Sequence, residues 1–101
     1  MSTAVKAITS CLGYQQIGTL SSATALTVPV VDANGLSAKP TLALIVSETQ
    51  NVRWRDDGVD PTASVGMPLA AGVTLQYDGD LSRIRFIEQG GGAKLNISYY
   101  V

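Results

Sequence analysis

In the second half of the chain, apolar side chains recur at every second position in run after run, and turn residues bound nearly every run. Period two marks an extended strand with one face buried, because successive side chains on a pleated backbone point to opposite sides. In residues 51–55, Val52 and Trp54 share one face and Arg53 and Arg55 the other, before the turn Asp56-Asp57-Gly58. Val73, Leu75 and Tyr77 form a second such face between Gly72 and Asp78-Gly79-Asp80. Ile84 and Phe86 form a third, with Arg83 and Arg85 pointing the other way and Gly90-Gly91-Gly92 beyond. The last run sets Leu95, Ile97 and Tyr99 against Lys94, Asn96, Ser98 and Tyr100.

The first half is less regular. Leu42-Ala43-Leu44-Ile45-Val46 is a continuous apolar run of strand length. Residues 25–30 read as another strand, which Pro29 confines to an edge because proline donates no ladder hydrogen bond. Asp32-Ala33-Asn34-Gly35 is a turn signal between them. Residues 1–18 carry Val5, Ile8, Leu12 and Ile17 without a sustained period, and read either as part of the domain or as an N-terminal arm that orders against a partner. No window repeats apolar residues at the 3.6-residue spacing of a helix. Ten glycines and four prolines punctuate the chain instead. The expectation is one all-β domain over residues 1–101: a small antiparallel β-sandwich, jelly roll or barrel of roughly six to eight short strands.

Composition says what such a domain does with its surface. Only 15% of residues are charged and 46% are apolar, against about 25% charged in an ordinary soluble domain. No stretch approaches the roughly 18 apolar residues of a membrane helix, so the excess apolar surface is assigned to protein contacts and not to a membrane. A homo-dimer or homo-trimer is expected. With a net charge of −1 and seven scattered basic residues, the chain lacks the positive field that phosphate backbones require, and nucleic acid is not an expected partner. The start has no apolar core of a signal peptide, and one cysteine, Cys11, closes no internal disulfide, so folding in a reducing cytosol is expected.

The chain contains no histidine. That removes Ser-His-Asp and Cys-His nucleophile activation and the usual zinc sites, and leaves Cys11 as a packing residue. Asp56, Asp57 and Asp60, and the pair Asp78 and Asp80, invite a calcium or carboxylate-pair reading. Their spacing matches neither an EF-hand loop nor a glycosidase pair, and each lies beside Gly58, Gly79 or Pro61, where aspartate is a turn former. Gly90-Gly91-Gly92 is followed by a strand where a phosphate loop requires a helix. The expectation is therefore a protein with no catalytic residues, cofactor or metal. Trp and Arg dominate interface hot spots, which makes Arg53, Trp54, Arg55, Arg83, Arg85 and Tyr100 the candidate contact residues, the arginines forming one cross-strand patch and Trp54 competing as a core residue.

Val52-Arg53-Trp54-Arg55-Asp56-Asp57-Gly58, Asp60-Pro61-Thr62-Ala63-Ser64, Gly66, Leu69, Gly72, Leu81-Ser82, Ile84-Arg85-Phe86-Ile87 and Ala93-Lys94-Leu95-Asn96-Ile97-Ser98-Tyr99-Tyr100 together resemble small virion proteins of tailed bacteriophages. The resemblance spans roughly half the chain. It implies a non-enzymatic structural protein: a capsid decoration or cement protein that binds the major capsid protein and stabilises the shell. Such a protein is made in the host cytoplasm and ends on the capsid surface. A head-tail or tail accessory protein is the neighbouring alternative. Fold analogy adds a carbohydrate- or cell-surface-binding module, with Trp54, Tyr77, Tyr99 and Tyr100 as stacking platforms.

Overall fold

The computed structural model describes residues 10–101 apart from Ala33. Among the described residues eight strands run in the order β1 (Cys11–Ile17), β2 (Thr24–Ala25), β3 (Leu42–Glu48), β4 (Val52–Arg55), β5 (Met67–Leu69), β6 (Thr74–Tyr77), β7 (Arg85–Glu88) and β8 (Lys94–Tyr100). They make two four-stranded antiparallel sheets, β1-β8-β3-β6 and β2-β7-β4-β5. The protein is all-β, and one apolar cluster is shared by the two sheets.

The first sheet is built on β8, which is flanked along its length by β1 and β3. Its alternation sends Leu95, Ile97 and Tyr99 inward, each at most 1% exposed. Tyr99 lies opposite Gly13 on one side and Ala43 on the other, small neighbours that leave room for a buried aromatic ring. Facing them from the second sheet are Val52, Leu69 and Phe86. Each fully buried aliphatic or aromatic side chain contributes about 1.5–3 kcal/mol of transfer free energy, and the connections add Leu20, Leu26, Leu81 and Ile84 to the same cluster.

In the second half β4, β6, β7 and β8 fall where alternation places them, with ends trimmed by a residue or two, while β5 is a strand that alternation did not mark. Residues 83 and 84 precede β7, and Val73 precedes β6. The first half departs further. Of the stretch 1–18, Cys11–Ile17 is an integral strand paired with β8, while residues 1–9 lie outside the described residues. Its period is masked because the inward positions are Gly13, Gln15 and Ile17, two of them without an apolar side chain. Gln15 is tolerated there because its Oε1 accepts from the Tyr99 hydroxyl at 2.7 Å and from the Thr27 amide at 3.1 Å, which satisfies a polar group facing the core.

Of residues 25–30 only Ala25 lies in a strand ladder, as the end of β2, which pairs with β7. The rest runs past β1, where Pro29 lies beside Gly13, its Cγ within ordinary van der Waals distance, 3.5 Å, of where a Cβ would stand. The apolar run over β3 is not buried on both faces: Ala43 and Ile45 are fully buried, whereas Leu42, Leu44 and Val46 stay half-buried on the outside.

Candidate functional site

The outer face of the second sheet collects every arginine in the chain. β4 and β7 pair with Arg55 opposite Arg85 and Arg53 opposite Ile87, and the inward turn of Ile84, fully buried, sends Arg83 outward beside them. The cross-strand arginine patch expected from alternation thus has a register. The four guanidinium groups are engaged differently.

Arg53 is a clamp. Its Nε donates to the Ala63 carbonyl at 3.2 Å and its Nη1 to the Gly66 carbonyl at 2.8 Å, which ties the long β4–β5 connection down onto the sheet. Gly66 has φ +145°, and a Cβ there would lie 3.1 Å from Arg53 Cβ and 3.2 Å from both Pro61 Cβ and the Trp54 carbonyl. Only glycine meets both demands. Arg55 forms a two-pronged ion pair with Asp57, whose carboxyl is held down at about 2 by the hydrogen bond from that guanidinium. The pairing raises the Arg55 pKa in turn.

Arg85 donates from Nη1 to the carbonyls of Ser82 and Ile84 at 3.0 and 3.3 Å. Arg83 is exposed and rests on Gly58, so closely that a Cβ on that glycine would sit 2.7 Å from Nη2. Gly58 also takes φ +85°. Between Arg83 and Arg85 lies a niche of about 100 Å³, completed by Gly58 and Asp60. Arg55–Asp57 is the one ion pair among the described residues, so neither Arg83 nor Arg85 has a carboxylate within 4.0 Å there.

Trp54 points inward, packs on the core cluster and meets Tyr77 edge-to-face at 5.9 Å between ring centroids. Its exposed part floors a groove of about 250 Å³ with Val65 and Met67, rimmed by Arg55, Asp56 and Asp57. Tyr100 lies on the outer face of the first sheet, opposite Leu42, with its hydroxyl 3.1 Å from Ser98 Oγ. The six candidate contact residues therefore do not make one surface: the arginines share a face, Trp54 borders it through the groove, and Tyr100 is on the other side of the molecule.

The stacking platform also disperses. Tyr77 and Tyr99 are 7% and 1% exposed and unavailable to a ligand. Burial raises both hydroxyl pKa values, that of Tyr99 to about 12, and the Tyr77 hydroxyl donates to Asp56 Oδ2 at 2.6 Å. Asp80 holds a turn: it accepts from the Ser82 amide and hydroxyl, which lower its pKa.

One surface had no expectation attached. Asp32 Oδ1 accepts from the amides of Asn34 and Leu36 at 2.9 and 3.0 Å, and Val31 bridges Ser37. This small hairpin holds Val30, Val31 and Leu36 out at 76%, 52% and 65% exposure. The aspartate-glycine turn marked its position, but alternation gave no hint that its apolar residues face outward. No family model, curated protein or solved structure matches the chain.

Proposed function

We propose that the chain is a structural protein of a tailed-phage virion, a capsid decoration protein that binds the shell formed by the major capsid protein and stabilises it. The observation that carries this reading is the unusual surface. Among the described residues nine large apolar side chains are more than half exposed, in a chain with only 15% charged residues. Six of them lie in two connections: Val30, Val31 and Leu36 on the Asp32 hairpin, and Val59, Val65 and Met67 around the β4–β5 connection. Exposed apolar groups held on a rigid two-sheet frame suit a subunit whose surface is completed by docking. The resemblance of the second half to small virion proteins supplies the kind of particle.

The test is mass spectrometry of purified particles of the encoding phage, followed by re-addition of the protein to particles that lack it. A copy number comparable to that of the major capsid protein, with a raised shell melting temperature on re-addition, is the expected result. Absence from purified particles overturns the reading, and a copy number matching one vertex or the tail reassigns the protein to the head-tail junction or tail. Light scattering of the isolated protein against the 10.5 kDa chain mass decides whether it docks as a dimer, a trimer or a single chain.

A further inference from the structure

Cross-strand neighbours of like charge destabilise a sheet, yet the second sheet places Arg55 directly opposite Arg85 and adds Arg83 and Arg53 to the same face. Within the described residues this concentration of charge is only partly compensated. Asp57 neutralises Arg55, and the carbonyls of Ala63 and Gly66 occupy Arg53. Arg83 and Arg85 have no carboxylate partner there. Arg85 is positioned by two backbone carbonyls that accept from one of its nitrogens, and the exposed Arg83 side chain extends over Gly58 beside it. A guanidinium held in place with no carboxylate within hydrogen-bonding distance is pre-organised to receive one.

We infer that this arginine face docks onto a carboxylate-bearing protein surface, with the niche between Arg83 and Arg85 receiving an aspartate or glutamate side chain of the partner. This deepens, and rests on, the reading of the chain as a docking protein. The niche, about 100 Å³, holds one small anionic group and not an extended one. The net charge of −1 supplies no long-range attraction for nucleic acid. A protein surface instead presents carboxylates singly, and the planar guanidinium fork pairs with them two bonds at a time. Val59, between the niche residues Gly58 and Asp60, is 53% exposed and gives the contact an apolar rim. Pairs of this kind set orientation and association rate more than total affinity.

The experiment follows the arginine side-chain Nε–Hε signals of the full chain by NMR during parallel titrations with poly-L-glutamate, double-stranded DNA of matched charge, and inorganic phosphate. The expected result is that Arg83 and Arg85 shift with poly-L-glutamate while Arg53 and Arg55 hold still. Binding should weaken about fivefold for either single change, Arg83→Gln or Arg85→Gln, with the backbone amide spectrum preserved. No shift at Arg83 and Arg85, or a response to DNA or phosphate as strong as that to poly-L-glutamate, overturns the inference. Re-addition to particles separates it from the reading beneath it. An Arg83→Gln/Arg85→Gln protein that docks as well as the parent overturns the arginine assignment and leaves the decoration reading standing, whereas a parent protein that does not dock removes the decoration reading itself.

Discussion

The two sheets divide the work of the molecule. The first has three seven-residue strands, β1, β3 and β8, joined over nearly their full lengths. On its outer face Tyr14 and Gln16 donate to Asn96, Asn96 donates to Glu48 at 2.8 Å, and Leu42, Leu44 and Val46 lie half-buried. The second sheet has strands of two to four residues, carries all the arginines, and supports the long β4–β5 connection. The long sheet provides cooperative stability. The short sheet, on which Arg83 and Arg85 have no carboxylate within 4.0 Å among the described residues, carries the groove beside Trp54 and the candidate contact residues on the frame held by the other. This arrangement follows a general economy of β proteins, in which recognition resides on short strands and loops fixed by a rigid scaffold.

The largest expected effects test whether the two sheets form one cooperative unit. Phe86→Ala in β7 and Ile97→Ala in β8 each empty a fully buried position, and should cost about 3–5 and 2–5 kcal/mol respectively, measured by urea denaturation with Trp54 fluorescence. A Phe86→Ala cost near zero would show that the second sheet is not coupled to the core. Next is the clamp. Arg53→Ala should cost about 1.5 kcal/mol and open residues 57–66 to limited proteolysis, and Arg53→Lys should not restore protection, because a compact ammonium does not reproduce the rigid fork whose Nε and Nη1 reach the Ala63 and Gly66 carbonyls separately.

Tyr99→Phe removes the hydroxyl that joins β8 to Gln15, at a cost of about 1 kcal/mol. The same residue sets an alkaline limit. A folded-state pKa raised to about 12 above the ordinary value of about 10 means that the unfolded chain loses this proton first. Stability is therefore unaffected below pH 10 and falls as the pH rises from there through about 12. Tyr77, also raised by burial, adds to the fall, and denaturation midpoints should drop less steeply with pH in Tyr99→Phe than in the parent. The smallest effect concerns the β3–β4 turn, where Thr49 adopts φ +77°, a costly conformation for a β-branched residue. Thr49→Asn should raise stability by about 0.5 kcal/mol, read as a small upward shift in melting temperature.

How much of this was legible beforehand varies along the chain. The inward sets Leu95, Ile97 and Tyr99, and Ile84 and Phe86, follow from alternation alone, as does the outward direction of all four arginines. β1 was not legible because its core-facing Gln15 is paid for by Tyr99, a partner 84 residues away. β5 was missed for a local reason: it has only three residues, and the middle one is Pro68, tolerated because β5 is an edge strand. The arginine patch was foreseen as a group, but the facing of Arg55 and Arg85 and the niche beside Gly58 depend on the β4–β7 register. Tyr100 shared the composition of an interface residue and stands on the opposite sheet.

The sequence by itself determined the class of fold, the faces of the strands with strict alternation, and the absence of histidine chemistry, because each follows from side chains adjacent along the chain. Tertiary structure decided which strands pair, which arginines have no carboxylate within 4.0 Å among the described residues and which aromatics are buried. Those outcomes depend on contacts between residues far apart in sequence, such as Gln15 with Tyr99 and Arg53 with Gly66, and on the burial that determines whether a polar group must find a partner.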